Sequence, residues 1–287
     1  TLVRAIPEIF SKTVLQEAEN GDAVAVFRRS YVRHLKSIRK NFLDRMKLQW
    51  AEVELRNGLR MNLRLGDFIS TEILSGEFES STTRFIIENL PSEKVFVDIG
   101  ANVGLFTLAA AYCAGKSGQI VAVEADIMLA HLLQRSVMAQ PEHIASIDVI
   151  PAAAAESAGI RKFAIAKRAR ANNHLAEYTG STQTGGTRYS QSVAAITLDL
   201  MSHFYNPPSV LKIDVEGAEL EVLKGGESMI EQARPTIICE VTNQATAPEV
   251  GHLLRGLGYQ MYDADLAPSV RVPLEQPAYN TLALPID

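Results

Sequence analysis

An acid and three turn-forming residues follow a short apolar run in the segment KVFVDIGANVGLFTLAAAY, which begins at Lys94. Asp98, Gly100, Asn102 and Gly104 form the pattern D-x-G-x-N-x-G. A turn from a strand into a helix needs glycine where φ is positive or where a ligand approaches the backbone closely. Asparagine tolerates the left-handed conformation better than other non-glycine residues, so Asn102 suits the same turn. The pattern predicts a ligand-binding turn between a strand and a helix.

A second acid stands at the spacing that a nucleoside cofactor requires. Glu124 ends the next apolar run, IVAVEA, 20 residues after Gly104, and a carboxylate there can accept hydrogen bonds from both ribose hydroxyls. A pyrophosphate site usually has no acid in its loop, because phosphate binds helix N–H groups. Asp98 suits a cationic ligand instead, such as the amino-acid end of S-adenosylmethionine, bound directly or through water. A cap for the following helix is the plainer alternative for Asp98.

More acids lie in the segment KIDVEGAE, from Lys212 to Glu219. Parallel sheets bind ligands at the carboxyl ends of their strands, and Asp214 is predicted at such an end, beside the strand of Asp98. Lys212 and Asp214 project from the same face because strand side chains alternate, so they can pair. Glu216 and Glu219 are expected in the first turn of the following helix, where the helix dipole stabilises carboxylates.

Acids in such a crevice could act as general bases. A hydroxyl group is a poor nucleophile near neutral pH, and a carboxylate within reach can take its proton as it attacks. Asp214 is the first candidate for this base, with Lys212 as its partner, Glu240 at the tip of the next strand is the second, and His174 in RANNHLAEY is the third. A solvated loop histidine explains His174 more simply. Oxygen ligands from Asp214, Glu240 and Asn243 could hold a metal, but we predict none.

The apolar periodicity predicts the elements that must hold these groups. After Lys94, all-apolar strands alternate with helices, which indicates a parallel sheet with helices on both faces. Residues Gly159–Leu200 interrupt this alternation with two short strand-like pieces around a Ser/Thr/Gly-rich loop, Thr179–Ser192. We expect this insertion to cover the substrate. Further upstream, alternation on both sides of Asn57-Gly58 predicts a tight hairpin.

The N-terminal part of the chain differs in charge from the rest. Apolar residues recur every three or four positions from Phe27 to Met46, which predicts an amphipathic helix. The segment Arg28–Lys47 contains eight Lys or Arg residues and one acidic residue, so its net charge is +7. The rest of the chain contains 20 basic and 32 acidic residues, so its net charge is −12. An anionic membrane surface, nucleic acid or a partner could bind the basic face. A helix packed on the acidic main domain explains it better, so we expect no nucleic acid partner.

Composition indicates an ordinary globular protein: of 287 residues, 47% are hydrophobic and 21% charged, enough for a large core. The apolar runs fall far short of the roughly 20 residues that span a bilayer, and no secretory signal is evident. Cys113 and Cys239 lie in apolar segments and argue for a reducing compartment rather than a disulfide framework. We therefore expect a cytoplasmic protein, with residues 1–48 as a helical extension and 49–287 as one catalytic domain. The N-terminal helices offer a route to a homo-oligomer.

Four segments, in this order and spacing, resemble the FkbM family of S-adenosylmethionine-dependent class I methyltransferases: FVDIGANVGLFTL, VAVEAD, LKIDVEGAELEVLKGG and RPTIICEV. The resemblance extends from about Phe78 to Asp265. It implies a Rossmann-like α/β fold with a seven-stranded, mostly parallel sheet and an antiparallel C-terminal hairpin. It also implies O-methylation of a hydroxyl on a small molecule, a sugar or a natural product. The basic segment Arg28–Lys47 is not part of the family pattern.

The resemblance also implies a set of cofactor-binding residues. These are Asp98, Gly100, Ala101, Asn102 and Gly104 at the methionine end, Glu124 and Ala125 at the ribose, Ala153 and Ala154 beside the adenine, and Asp214 at the crevice. An NAD-dependent oxidoreductase would share the glycine turn and the ribose acid, but Asp98 and KIDVEGAE stand against it. A non-catalytic scaffold of the same fold is a further alternative, and the complete cofactor set argues against that. The acceptor stays open among sugar, polyketide and lipid-linked glycan.

Overall fold

The computed structural model describes residues 50–55, 58–64, 69–70, 73, 90, 93–167, 172–178 and 186–286. The basic helix expected within 27–47 and the extension 1–48 lie outside these residues, and so does the oligomer contact that was assigned to them. The chain divides into two compact units, Thr1–Phe78 and Glu79–Asp287.

The smaller unit contains the expected hairpin. Strands β1 (Trp50–Glu54) and β2 (Arg60–Arg64) pair antiparallel, with Glu54 opposite Arg60. The N–H of Leu55 donates to the carbonyl of Leu59 at 2.7 Å, and Gly58 takes the left-handed conformation with φ 81°. The connection is therefore longer than the two-residue turn that an Asn-Gly pair favours.

The larger unit contains the other strands and helices whose bounds the structure describes. Its strands are β3 (Val95–Ile99), β4 (Gln119–Val123), β5 (Ser146–Ile150), β6 (Ala153–Ala154), β7 (Gly159–Ala166), β8 (His174–Leu175), β9 (Thr187–Ile196), β10 (Val210–Ile213), β11 (Thr236–Glu240), β12 (Tyr259–Asp263) and β13 (Asn280–Pro285). Its helices are α1 (Leu105–Ala114), α2 (Ile127–Met138), α3 (Leu198–Met201), α4 (Glu219–Lys224), α5 (Glu227–Ala233) and α6 (Ala247–Gly256), with a 3-10 turn at Pro268–Val270.

Seven strands form the central sheet in the order β12-β13-β11-β10-β3-β4-β5. Strands β11, β10, β3, β4 and β5 run parallel, and β13 is antiparallel to both β11 and β12. This confirms the seven-stranded Rossmann-like sheet with an antiparallel C-terminal hairpin. Because the carboxyl ends of the parallel strands share one edge, the residues after β3, β4, β10 and β11 line one crevice.

Alternation along the strands divides the side chains between two layers. Val97 and Leu211 face the core that also includes apolar residues of α4, α5 and α6. Asp98 and Lys212 are opposite one another in the β3–β10 register and project from the other face, where α1 lies. The alternation of side chains that puts Lys212 and Asp214 on one face therefore also puts Asp98 on that face, beside Lys212.

The insertion forms a second sheet in the order β6-β9-β7-β8. Strands β7 and β9 pair antiparallel from Gly159 opposite Ala195 to Ala166 opposite Thr187. The predicted loop Thr179–Ser192 is thus wrong over its C-terminal part, because Thr187–Ser192 belongs to β9. The residues of this part are mostly exposed. Their polar composition reflects a solvated strand surface, on which Thr and Tyr are favoured. Residues 179–185 lie outside the described ranges.

No helix within the described ranges is both long enough and apolar enough to cross a membrane.

Candidate active site

The glycine turn has the backbone that its residue types predict. Gly100, Asn102 and Gly104 all have positive φ, at 80°, 53° and 90°, and α1 begins directly after Gly104. Positive φ is disfavoured for residues with a Cβ, except that asparagine tolerates it. The prediction of a left-handed position at Asn102 is confirmed.

Both glycines are also required by contacts within the chain. A Cβ added at Gly100 would lie 1.7 Å from the backbone oxygen of Asp214, and one added at Gly104 would lie 2.2 Å from Leu133 Cδ1. Real atoms do not approach so closely, so Gly100 lets the turn pack directly on the end of β10. Gly104 lets it pack on α2. Positive φ and close packing within the protein therefore account for both glycines, and close approach of a ligand stays a prediction.

The first N–H groups of the turn bond to the protein. Those of Gly100 and Ala101 both donate to the carbonyl of Val123, at 2.9 and 3.0 Å. That of Asn102 donates to Glu124 Oε2 at 2.8 Å. The following N–H donates to the side-chain oxygen of Asn102 at 2.8 Å. The turn thus ties β3 to the end of β4, and its first N–H groups do not form an open cradle of the kind that binds phosphate.

Glu124 lies at the carboxyl end of β4 and is only 7% exposed. Its Oε1 accepts the N–H of Asp126 at 2.7 Å, while Oε2 accepts that of Asn102. Burial raises the pKa of Glu124 to about 7, against the lowering effect of these two hydrogen bonds, and the nearby Asp126 and Asp214 raise it further. Each carboxylate oxygen has a second lone pair, so the group can still accept two ribose hydroxyls.

Asp98 and Lys212 are buried and form a cluster of ionisable groups with Asp214, which is partly exposed. Lys212 Nζ lies 3.1 Å from Asp214 Oδ2 and 4.0 Å from Asp98 Oδ1, and it sits 4.6 Å above the ring of Phe106. Asp98 is fully enclosed and accepts a 2.6 Å hydrogen bond from Thr107 Oγ1. Burial raises the pKa of Asp98, and Lys212 opposes that effect. The predicted Lys212–Asp214 pair is confirmed. Contact between Asp98 and a ligand stays a prediction, and its burial favours an indirect role through Lys212.

A tyrosine that the sequence reasoning missed lies on the other side of Asp214. Tyr279 donates its hydroxyl to Glu240 Oε1 at 2.6 Å. Burial, this hydrogen bond and the neighbouring Glu216 and Asp214 raise the pKa of Tyr279 well above its ordinary value, so the hydroxyl stays protonated. Only the sheet topology indicates this contact, because β13 pairs with β11 so that Asn280, the residue after Tyr279, is opposite Glu240.

The prediction that Glu216 lies in the first turn of a helix is wrong. Helix α4 begins at Glu219, and Glu216 precedes it in a bend with φ 55°, followed by Gly217 with φ 110°. Two successive positive φ values turn the chain before the helix can start. Glu219 has the predicted helix-start role, since its Oε1 accepts the N–H of Gly217 at 2.8 Å. The same oxygen accepts the hydroxyl of Thr242 at 3.0 Å.

His174 belongs to β8 of the insertion rather than to a loop. It is half-buried and lies opposite Ala164. Its Nδ1 is 3.0 Å from the carbonyl oxygen of Asn172. A carbonyl can only accept, so Nδ1 carries the proton and Nε2 is the basic nitrogen in the neutral ring. The grouping of His174 with Asp214 and Glu240 stays a prediction.

The alanines predicted to contact adenine and ribose divide between two cores. Ala153 packs in the core of the second sheet, with Ala125 against it, whereas Ala154 packs in the main core. Their side chains are therefore committed to packing, and contact with adenine stays a prediction. Within the described ranges, no group of three or more His, Cys, Asp or Glu residues is arranged to hold a metal ion.

A seven-stranded sheet with an antiparallel C-terminal hairpin, whose parallel strands are followed by the glycine turn, Glu124 and Asp214, has the fold of a Rossmann-like class I methyltransferase. The family model "Methyltransferase FkbM domain" matches residues 98–261, more than half of the chain. The chain belongs to this family, which confirms the resemblance seen in the sequence.

Individual proteins show more distant similarity. "Methyltransferase sdnD" of Sordaria araneosa is 28% identical over 203 residues, which cover 61% of this chain and 77% of that protein. The methyltransferase FkbM structure from Methylobacillus flagellatus is 16% identical with a TM-score of 0.44, and covers 67% of this chain. The match spans only 44% of that structure's own length. An S-adenosylmethionine-dependent O-methyltransferase from Thermotoga maritima is 12% identical, with a TM-score of 0.41, over 83% of this chain and 78% of its own.

Proposed function

We propose that this chain is an S-adenosylmethionine-dependent O-methyltransferase that acts on a hydroxyl of a small molecule, a sugar or a natural product. The observation that carries the proposal is the pairing of Glu124 with a glycine turn whose first N–H groups are already bonded within the protein. An acid for the ribose supports a nucleoside. A turn without an open N–H cradle supports a nucleoside that lacks a pyrophosphate.

The same observation argues against an NAD-dependent oxidoreductase. A dinucleotide site needs N–H groups at the turn for its two phosphates, and here the N–H groups of Gly100 and Ala101 both donate to Val123. Asp98, Glu124 and Asp214 place three carboxyl groups around the turn, with the ammonium of Lys212 beside two of them. Carboxyl groups suit a sulfonium and an ammonium better than they suit a pyrophosphate.

The residues present fit this cofactor, which supplies an electrophilic methyl group when it is bound. Glu124 would accept the ribose hydroxyls, Ala153 would border the adenine, and the turn from Gly100 would hold the methionine end. Asp214 would accept the proton of the acceptor hydroxyl as the new O–C bond forms and the C–S bond breaks. Lys212 donates a 3.1 Å hydrogen bond to Asp214 Oδ2 and so orients the carboxylate, and a general base must be positioned within reach of the proton that it takes.

Glu240 is the second candidate for the base, and Tyr279 fixes one of its oxygens. Glu240 lies at the same sheet edge as Asp214, one strand further from the glycine turn, and Tyr279 precedes β13, the strand beyond that. We assign this side to the acceptor, because the side towards Glu124 is assigned to the nucleoside. The two free cysteines, Cys113 and Cys239, support a reducing compartment such as the cytoplasm.

Transfer of label from S-adenosylmethionine tests the proposal. The protein is incubated with methyl-labelled cofactor and a panel of hydroxylated metabolites, each paired with its amino analogue. We expect label on oxygen, and label confined to nitrogen would contradict O-methylation. Calorimetry with S-adenosylmethionine and with NAD is the companion measurement. A preference for NAD would overturn the cofactor assignment.

A further inference from the structure

Asn173 connects the insertion to the turn that carries Glu124. Its side chain is buried. The amide Nδ2 donates to Asp126 Oδ2 at 2.7 Å, and Oδ1 accepts the N–H of Ala166 at 2.8 Å. The two partners dictate the orientation of the amide, because a carboxylate must face the NH₂ group and an N–H must face the oxygen. Asn173 therefore fixes the end of β7 to the β4–α2 turn.

Asp126 connects Asn173 to Glu124 through hydrogen bonds. Its Oδ1 accepts the N–H of Met128 at 2.9 Å and so caps α2, while its own N–H donates to Glu124 Oε1 at 2.7 Å. The other oxygen of Glu124 accepts the N–H of Asn102. Hydrogen bonds thus run without a break from Ala166 in the insertion to the glycine turn. A buried network of this kind holds its members in one arrangement, because each unmade bond leaves a polar group unpaired.

Packing places the same part of the insertion beside the nucleoside end of the crevice. Leu175, two residues after Asn173, is buried in the core that includes Ala153, with Ala125 packed against it. Ala125 lies between the two acids of the network. The hydrogen bonds of Asn173 and the apolar contacts of Leu175 therefore both meet the segment that follows β4.

We infer that Asn173 is a positioning residue for the cofactor: by holding Asp126, it sets the orientation of the Glu124 carboxylate that receives the ribose. The inference rests on the proposed function, in which Glu124 binds the ribose hydroxyls. It changes the role expected for the insertion, whose Asn173 end serves the nucleoside rather than the acceptor. Because coupling is reciprocal, a nucleoside that engages Glu124 also stabilises the Ala166 end of the insertion.

Calorimetry with S-adenosylhomocysteine, the demethylated product, tests this role without a known acceptor. Asn173→Ala should weaken binding about tenfold, on the scale of a lost hydrogen bond to a charged group. Asn173→Asp keeps the acceptor for Ala166 but turns a carboxylate oxygen towards Asp126, so it should weaken binding at least as much at pH 8. Asn280→Ala is the matched control, since Asn280 also donates its amide to an aspartate, Asp265. Its affinity should stay within about twofold of the parent.

A double-mutant cycle separates positioning from general loss of structure. In a Glu124→Ala background, Asn173→Ala should have no further effect on affinity, because the group through which it acts is gone. Additive effects of the two substitutions would overturn the inference, since independent contributions add. Unchanged affinity in both Asn173 variants, with weakened binding by Glu124→Ala, would overturn the inference and leave the proposed function standing. Failure of the parent to bind would overturn both.

Hydrogen exchange on the unmodified protein decides the matter even if the Asn173 variants do not fold. S-adenosylhomocysteine should slow exchange at the N–H groups of Asn102, Asp126 and Ala166 together. Slowing at Asn102 and Asp126 with no change at Ala166 would overturn the inference, because the link through Asn173 would then carry no coupling.

Discussion

Glu124 should make the stability of the protein depend on pH in a way that a single substitution can isolate. Burial raises the pKa of this carboxyl from 4.5 to about 7 in the folded protein, while in the unfolded chain it returns to its ordinary value. Between those two values the folded state binds more protons than the unfolded state, so the free energy of unfolding falls as pH rises. The stabilising contribution is complete below pH 4.5 and is lost as pH rises through 7.

The size of this effect follows from the shift in pKa. Each pKa unit corresponds to about 1.36 kcal/mol, so raising the pH from below 4.5 to 8 should remove about 3 kcal/mol of stability. Glu124→Gln cannot titrate. Its amide oxygen can accept from only one of the two N–H groups of Asn102 and Asp126, which subtracts a constant amount at every pH. The difference in unfolding free energy between parent and variant should therefore move by about 3 kcal/mol across this range, in favour of the variant.

Urea denaturation followed by far-ultraviolet circular dichroism, at several pH values and without cofactor, measures this difference. The only tryptophan, Trp50, lies in the hairpin unit, so its fluorescence would report the wrong part of the chain. Glu142→Gln, at an exposed acid in a loop, serves as the control and should follow the parent. A parent–variant difference that stays flat from pH 4.5 to 8 would refute the reasoning, because Glu124 would then titrate alike in both states.

Three further substitutions test the contacts around the crevice. Gly100→Ala should destabilise the protein by more than about 2 kcal/mol in urea, whereas Gly115→Ala, also at positive φ but with open space around it, should lose only about 1 kcal/mol; equal losses would contradict the packing argument. Lys212→Met should lower stability by about 3–5 kcal/mol by leaving the buried carboxyl group of Asp98 without its cation, and an unchanged unfolding midpoint would rule that out. Asp214→Asn should bind S-adenosylmethionine nearly as tightly as the parent while turnover falls by about 10²–10⁴; near-normal turnover would leave Asp214 as a structural partner of Lys212.

Local patterns were sufficient to predict much of this fold and part of the site. The alternation of apolar strands with helices predicts the parallel sheet, and the order D-x-G-x-N-x-G predicts the turn after β3. Alternation of side chains along a strand predicts the pairing of Lys212 with Asp214. These predictions need only residues that are close together in the sequence. The left-handed position at Asn102 follows from residue type in the same way.

Contacts between distant segments were beyond such reasoning. Tyr279 reaches Glu240 only because β13 returns antiparallel to β11, and Asn173 reaches Asp126 across 47 positions of sequence. Neither pairing has a periodicity or a spacing that marks it in one sequence. The prediction for Glu216 was wrong for a different reason. Its residue type suits a helix start, but its φ of 55° and the φ of 110° at Gly217 place it outside the helix.

One backbone contact joins the two halves of the proposed reaction. Gly100 packs against the carbonyl of Asp214 so closely that no side chain fits between them, and the N–H of Asp214 donates to the carbonyl of Ile99 at 2.9 Å. The turn assigned to the methionine end and the residue assigned as base are therefore held by the same few atoms. Methyl transfer requires the acceptor oxygen, the methyl carbon and the sulfur to lie in line, and a misplacement of about 1 Å lowers the rate strongly. A cofactor turn that packs directly on the strand of the base meets this demand without a hinge between them. In the proposed reaction, the glycine at position 100 would thus serve the geometry of methyl transfer as well as the shape of the turn.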